Sequence, residues 1–333
     1  MKLVLGVDVG GTASRALLTT IDGTRVGYGR AGAGNPVAVT PEVARANVSE
    51  AIIAALSDMD HRRSVTRADD HHRPDPARPS ITRADDHHRP DPARKLATRH
   101  AGEIAAAVVG AAGASGSDIF EKLLPSLGFD CPLRVVGDVV VAFAAGTTAP
   151  RGTVLIAGTG AAAARVDGFE QVRVADGLGW LLGDLGSGFW LGRQAASLTA
   201  RALFLGTKGK LIDSITSAVG ESDPNGFVVA VHSRPPRELA FLAPLVTEAA
   251  LAGDELALSI VDDAAEHLVA TTGQVRAPGE TEPIVLAGSV LAHSEPVRSR
   301  VGKRLAELWP EAEVTFAASG EIGAARLAQR CLF

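Results

Sequence analysis

Cysteine is nearly absent from this chain. Cys131 and Cys331 are its only two, 200 positions apart, so they supply neither a disulfide framework nor a cysteine-held metal cluster. No apolar run reaches the roughly 18–20 residues that a membrane-crossing helix needs. Aspartate 8 interrupts the N-terminal apolar stretch Leu3–Val7 too early for a secretory leader, so the expected location is the cytoplasm. Positive charge is not in excess either: 33 basic residues stand against 38 acidic ones, a net charge of −5, which argues against a general nucleic-acid binder. Aromatic residues make up only 4%, while hydrophobic residues reach 46% and glycine 36 positions. That balance suits a soluble globular protein, and 333 residues are enough for two packed lobes rather than one core.

One stretch departs from this composition. Ser64–Arg78 reads SVTRADDHHRPDPAR and Ser80–Arg94 reads SITRADDHHRPDPAR, a near-perfect duplication. From Asp58 to His100 the chain holds eight Asp, ten Arg or Lys and six of the nine His. With so few large apolar residues it cannot bury enough surface to offset ordering entropy, and it reads as a disordered polar insertion. His71-His72 and His87-His88 beside Asp69, Asp70, Asp85 and Asp86 are metal-ligand types, but adjacent pairs on a floppy loop lack the outer shell of a purposeful site.

The remainder alternates in an organised way. Leu3–Asp8 is an apolar strand entering a Gly10-Gly11 turn, followed by strands over Ala13–Thr19 and Thr24–Tyr28. Helical spacing covers Pro41–Leu56, with Thr40 as N-cap and Pro41 at the first helical position. Ala105–Val109 and Leu133–Gly137 are strands, with a helix over Ser117–Leu127 between them. The second half repeats the plan: a strand Thr153–Ala157 into Gly158-Thr159-Gly160, two further strands, then alternating helices and strands to a last helix over Gly320–Gln329. Three strands followed by helix–strand alternation, occurring twice, predicts an α/β protein of two similar lobes, with a ligand in the cleft between them.

The glycine clusters carry the chemistry. Asp8-Val9-Gly10-Gly11-Thr12 puts a carboxylate at a strand end and two residues without Cβ atoms in the turn after it. Such a turn lets backbone N–H groups approach phosphate oxygens, Thr12 adds a hydroxyl, and Asp8 is suited to Mg²⁺. A plain hairpin turn is the alternative. Gly158-Thr159-Gly160 follows the same logic, and Leu286-Ala287-Gly288-Ser289 offers a third glycine after a strand, where a flat nucleotide can lie against backbone. Asp138, after an apolar strand, is either a helix N-cap or a carboxylate placed to take a proton from an attacking hydroxyl. The rival motifs fail: Gly206–Lys210 is followed by Leu211 and not Ser or Thr, and no Gly-x-Gly-x-x-Gly leads from a strand into a helix.

In order, Asp8–Thr12, Gly137-Asp138, Ala157–Gly160 and Leu286–Ser289 resemble the two phosphate loops, first connection and adenosine motif of the sugar kinase, Hsp70 and actin superfamily. More narrowly, Gly179-Trp180-Leu181-Leu182-Gly183-Asp184-Leu185-Gly186-Ser187-Gly188-Phe189-Trp190-Leu191-Gly192-Arg193 is similar to the signature block of the BadF/BadG/BcrA/BcrD ATPase family. That family includes N-acetylglucosamine kinases and actinobacterial glucosamine kinases. The resemblance implies a two-lobed, ribonuclease H-like (actin-like ATPase) fold with an interlobe cleft. It also implies an ATP-dependent kinase acting with Mg²⁺ on a small amino sugar, and no nucleic-acid or membrane partner. A homodimer, frequent in this fold, is a further implication.

Carried over by position, Asp138 matches the base that deprotonates the sugar O6, and Asp8 the Mg²⁺-supporting aspartate. Gly10, Gly11, Thr12, Gly158, Thr159, Gly160, Gly288 and Ser289 match the nucleotide contacts, with Arg15 adding charge. Asn35, Ser115, Gly179 and Asp184 match sugar contacts. The lobes implied are 1–115 and 116–318, with a final helix over 319–333 packing back on the first. Many relatives carry Glu where Leu185 stands, so one polar contact is missing or displaced. Cys131 and Cys331 do not suit the branch of the family that holds an iron–sulfur cluster. Glucosamine and N-acetylglucosamine both remain candidate acceptors. Asp184 or Asp176 would suit a free ammonium, and Leu185 with the alanines at 161–164 would suit an acetamide. The Arg-rich composition, 27 Arg against 6 Lys, tilts the choice toward the actinobacterial glucosamine kinases.

Overall fold

The computed structural model describes residues 2–35, 39–68, 92–111 and 117–332. The duplicated histidine pairs and Ser115 lie outside the described residues. The chain divides into two compact units: Met1–Ala145 with Ala318–Phe333, and Gly146–Ala317.

The first unit is built on a five-stranded sheet of β1 (Leu3–Val9), β2 (Ser14–Thr20), β3 (Arg25–Ala31), β4 (Ile104–Ala111) and β5 (Leu133–Gly137), in the order β3-β2-β1-β4-β5. The first three strands form an antiparallel meander, and β4 and β5 add parallel to β1. The continuous apolar run of β1 is buried almost throughout, as a central strand covered on both faces requires. Helices α1 (Pro41–Ala68), α2 (Pro92–His100), α3 (Ser117–Glu121), α4 (Leu123–Ser126) and α5 (Asp138–Gly146) intervene.

The second unit repeats the topology. Its sheet runs β10-β9-β6-β7-β8, from β6 (Arg151–Ala157), β7 (Ala161–Asp167), β8 (Glu170–Asp176), β9 (Ile284–Ala287) and β10 (Val314–Phe316). Again a three-stranded antiparallel meander is extended by two parallel strands. Around it lie α6 (Gly188–Leu205), α7 (Lys210–Val219), α8 (Pro224–His232), α9 (Ala243–Leu251), α10 (Glu255–Val275), α11 (Ser289–His293) and α12 (Glu295–Leu308). The buried core of this unit is carried largely by α6, α9 and α10 against β6, β7 and β9. The last helix, α13 (Gly320–Arg330), belongs to the first unit.

Three boundaries differ from those read in the sequence. Residues 116–145 join the first unit rather than the second, because β5 pairs with β4 from Ala107↔Leu133 to Ala111↔Gly137. The polar segment does not begin at Asp58, because α1 stays helical to Ala68. Met59 is fully buried, and Arg63 grips Glu103 through both guanidinium nitrogens at 3.1 and 2.7 Å. His100 Nδ1 lies 2.8 Å from the same carboxylate, and the Arg63 contact, with smaller help from His100, holds the pKa of Glu103 down to about 2. The helix expected over Ser117–Leu127 is broken at Lys122. Pro125 offers no N–H to Glu121 and its ring crowds that carbonyl.

Gly6 shows how the first unit is closed. A Cβ there would lie 2.2 Å from the Ala325 nitrogen and 2.6 Å from the Glu321 carbonyl oxygen. Only a residue without a side chain lets α13 lie this close on β1. Because α13 is seated there, its start is fixed beside the end of β1.

Candidate active site

The parallel strands of the first unit end together: Val9, Ala111 and Gly137 are in register across β1, β4 and β5. Reacting groups in α/β sheets belong at such carboxyl ends. Asp8 stands one residue before the end of β1, and Asp138 directly follows β5. With strands spaced about 4.8 Å apart, the two backbones are separated by roughly 10 Å.

Asp8 receives a hydrogen bond and ion pair from Arg15 Nη1 at 3.2 Å, its partner across the β1–β2 ladder. The arginine that the sequence assigned to phosphate is thus engaged with the aspartate. Burial pushes the Asp8 pKa from 3.8 up to about 6; Arg15 opposes this, while Glu321 and Asp138 push it further up. The start of α13 adjoins it, since a Cβ on Gly320 would fall 2.5 Å from the Asp8 carboxyl carbon. Glu321 is 5% exposed; one oxygen accepts from Ser319 Oγ at 2.5 Å, and its buried Oε2 has no hydrogen-bond partner. No local motif marks Glu321, and the sequence reading did not single it out.

The raised carboxylate gives a stability prediction. In the unfolded chain Asp8 ionises near 3.8 and in the fold near 6, so stability falls as pH rises through that interval. Above pH 6 the full penalty applies, about 3 kcal/mol at 1.36 kcal/mol per pKa unit. Asp8→Asn is expected to raise the ligand-free Tm at pH 7.5 by up to about 6–12 °C, at roughly 2–4 °C per kcal/mol recovered. At pH 4 it leaves the Tm unchanged. A lower Tm at pH 7.5 would show that Asp8 is not a strained carboxylate.

Asp138 opens α5. Its Oδ1 accepts from the amide of Val139 at 2.9 Å, a contact within the first turn that does not span it as a normal N-cap does. Burial raises its pKa, and that hydrogen bond offsets part of the rise. Beside β1, the amides of Gly34 and Asn35 both donate to the Gly10 carbonyl, at 3.1 and 3.3 Å. This brings Asn35 to the glycine turn. Gly11 and Thr12 are exposed in that turn, and among the described residues their amides have no protein acceptor.

In the second unit, the Gly158-Thr159-Gly160 turn rests on the start of α6. Gly188 and Phe189 donate their amides to the carbonyls of Gly158 (2.7 Å) and Thr159 (3.2 Å), and Ser187 caps the helix by accepting from Trp190 N. Gly160 is required here: a Cβ would meet Asp184 Oδ1 at 2.7 Å, the oxygen that accepts from Ala161 N at 3.0 Å. Asp184 has a left-handed backbone, φ 57°. Burial raises its pKa, while the Ala161 hydrogen bond and the Arg237 charge pull it down.

Asp176 takes a different part. Both its oxygens accept loop amides, from Asp184 at 2.7 Å and Leu185 at 2.9 Å. It therefore shapes the signature loop. Leu185 uses its amide in that loop and is 38% exposed.

Three cavities adjoin these elements. One of about 220 Å³ is lined by Thr159, Gly160, Gly177, Gly179, Asp184, Phe189 and Arg237. A second, about 410 Å³, opens on Gly158 and Thr159 and reaches Ser289, Val290 and His293. The third, about 290 Å³, borders Gly288, Arg298 and Phe316. Gly288, at φ 93°, lies so close to β6 that a Cβ would fall 2.3 Å from the Ala157 carbonyl oxygen, which ties the β9 glycine to the second turn. A larger groove of about 580 Å³ lies on α6 and α8 around Phe204 and Phe227, and does not reach the glycine turns.

The chain resembles several proteins of known sequence or structure. An N-acetylmuramic acid/N-acetylglucosamine kinase of Clostridium acetobutylicum is 28% identical over 174 residues, 50% of this chain and 56% of that protein. The match thus spans little more than half of that relative. A candidate N-acetylglucosamine kinase from Chromobacterium violaceum has the same fold, at TM-score 0.72 and 22% identity over 99% of both chains. A ROK family glucokinase from Streptomyces griseus, solved with glucose and AMPPNP, matches at TM-score 0.55 and 18% identity over 98% of each. The model of the BadF/BadG/BcrA/BcrD ATPase family matches residues 5–328, and this chain belongs to that family.

Proposed function

We propose that this protein is an ATP-dependent amino-sugar kinase that transfers the γ-phosphoryl group to O6 of the sugar. The observation that carries the reading is Asp138: a half-buried carboxylate with a raised pKa, directly after β5, level with the glycine turn that follows Asp8. A base whose pKa is moved toward neutrality is better matched to accepting a proton at working pH. As the sugar oxygen attacks phosphorus, its proton passes to Asp138, the new O–P bond forms, the bond to the β-phosphate breaks and ADP leaves. Such transfer needs little covalent chemistry from a protein and depends on positioning and charge.

The residues fit the nucleotide and its cation. Exposed, unpaired amides at Gly11 and Thr12 suit phosphate oxygens, as does the Gly158–Gly160 turn, while the space at Ser289 and Val290 suits the nucleoside. Among the described residues no three His, Cys, Asp or Glu side chains converge as a metal cage. Mg²⁺ is commonly bound by one or two carboxylates together with phosphates and waters. Asp8 with Glu321 answers that description. When bound, Mg²⁺ would neutralise charge on the β- and γ-phosphates. Asn35 and Asp184 would hold sugar hydroxyls.

N-acetylglucosamine is the favoured acceptor, since the Clostridium relative is named for N-acetylated sugars. Glucosamine is the second reading, favoured by the one Asp184 oxygen that Ala161 leaves free. A coupled ADP-release assay with ATP and Mg²⁺ tests both. Turnover is expected with N-acetylglucosamine above glucosamine and glucose. No turnover with any amino sugar would overturn the reading.

A further inference from the structure

The groove of about 580 Å³ on α6 and α8 takes no part in the phosphoryl transfer proposed above. Successive turns of α6 build it: Phe189, Arg193 and Arg201 fall in one row at four-residue spacing, and Ala196, Ala200 and Phe204 in the next. The two alanines leave room that larger side chains would fill, and Phe227 and Val231, one turn apart on α8, line the same space. From Phe189 to Phe204 the helix advances roughly 22 Å, so the groove is long rather than round. At the Phe189 end Trp180 meets that ring edge-on, with 6.2 Å between centroids. Leu181 and Phe204 are 72% and 60% exposed along it. Contiguous apolar surface of this kind marks a binding site.

Every charged side chain that lines the groove is basic: Arg193, Arg201 and, when protonated, His232. Among the described residues neither arginine has a hydrogen-bond or ion-pair partner. An apolar floor with positive charge along one edge is complementary to an amphipathic anion. We infer that this groove binds a carboxylate carried on an unbranched apolar chain, of which a fatty acid is the simplest example, and that its occupancy tightens the binding of the acceptor sugar. The chain would lie on Ala196, Ala200 and Phe227, and the head on the arginine row. Arginine's planar fork matches a carboxylate in two parallel hydrogen bonds.

The coupling follows from shared walls. Phe189 lines both this groove and the cavity of about 220 Å³ that contains Asp184. Gly179 borders the smaller space, and the next two residues, Trp180 and Leu181, border the larger. In the 3₁₀ turn Pro236–Leu242, Arg237 borders the smaller space, and Pro236 and Leu239 the larger. A chain seated against Trp180 and Phe189 favours the loop arrangement in which Asp184 accepts from Ala161 N. By linkage, the sugar tightens binding of the chain by the same factor. The effect on the sugar rests on the kinase reading above; the chemistry of the groove does not.

The test titrates dodecanoate, below its micellar concentration, and uncharged dodecanol by calorimetry. The proteins are the wild type, Arg193→Gln/Arg201→Gln and Ala200→Phe. The wild type is expected to bind dodecanoate at least tenfold more tightly than dodecanol. Both arginines are exposed, so the double substitution is expected to leave the Tm unchanged and to abolish that preference. Ala200→Phe is expected to weaken both ligands at least tenfold. Saturating dodecanoate is expected to lower the Kd of N-acetylglucosamine at least threefold. Equal binding of acid and alcohol by the wild type, or equal losses of both in the arginine variant, would overturn the inference. So would no binding of either; if Ala200→Phe then also splits a dimer seen by sedimentation, the groove belongs to a second copy of the chain. An unchanged or raised Kd for the sugar would overturn the coupling. Arginine-dependent dodecanoate binding with no turnover of any amino sugar would overturn the kinase reading and leave the groove site standing.

Discussion

Asp138→Asn is expected to lower kcat by about 10²–10⁴-fold, the range typical of a lost general base, while KM for ATP changes by less than threefold. The substitution keeps the size of the side chain and an oxygen able to accept from Val139 N, the contact now 2.9 Å long. Amide for carboxylate removes only the capacity to take the proton. Asparagine cannot ionise, so the limb of the pH–rate profile that Asp138 imposes disappears as well. That limb lies above the ordinary aspartate range, because burial raises the Asp138 pKa. Turnover within tenfold of the wild type would remove Asp138 from the role of base. A fall in kcat with an equally large rise in KM for ATP would assign it to binding instead.

Gly6→Val is expected to produce the largest loss of stability. The new Cβ would sit 2.2 Å from the Ala325 nitrogen and 2.7 Å from its Cα, and both contacts are backbone, which cannot rotate away. Relief requires α13 to lift from β1. That exposes Ala324, Ala325, Leu327 and Ala328, each at most 3% exposed at present. Overpacking of this severity costs about 3 kcal/mol or more, a fall in Tm of roughly 6–12 °C. Thermal melting monitored by circular dichroism checks it. A fall below 2 °C would mean that α13 is not seated on β1, and that Gly320 and Glu321 do not adjoin Asp8.

These two residues illustrate what the sequence makes readable. Apolar runs broken by glycine, as at β1 and β6, announce buried strands followed by tight turns. Because the same order occurs twice, the duplicated topology follows. Asp8, Asp138 and the glycine turns were visible because each stands next to a strand end, a local feature. The partner of Arg15 was not visible in advance, since it depends on the β1–β2 register.

What escaped the sequence depends on distant contacts. The continuation of α1 beyond Leu56 is polar and carries no helical apolar stripe. It is held by Arg63 to Glu103, 40 positions away. Asp176 and Asp184 look interchangeable as carboxylates. The fold separates them, giving both Asp176 oxygens to loop amides and leaving one Asp184 oxygen free. Glu321 lies in an ordinary helix start and Arg237 in a proline-rich turn. Neither residue type nor spacing distinguishes them from solvent-facing charges; only burial in one case and a shared cavity in the other do so.

The most direct test of the central claim is the identity of the product. Sugar turned over with ATP and Mg²⁺ can be examined by phosphorus–proton NMR correlation. The account predicts a phosphate coupled to the two C6 protons, together with one ADP per sugar phosphate formed. Phosphate on the anomeric oxygen, or ADP release with no phosphorylated sugar, would contradict it.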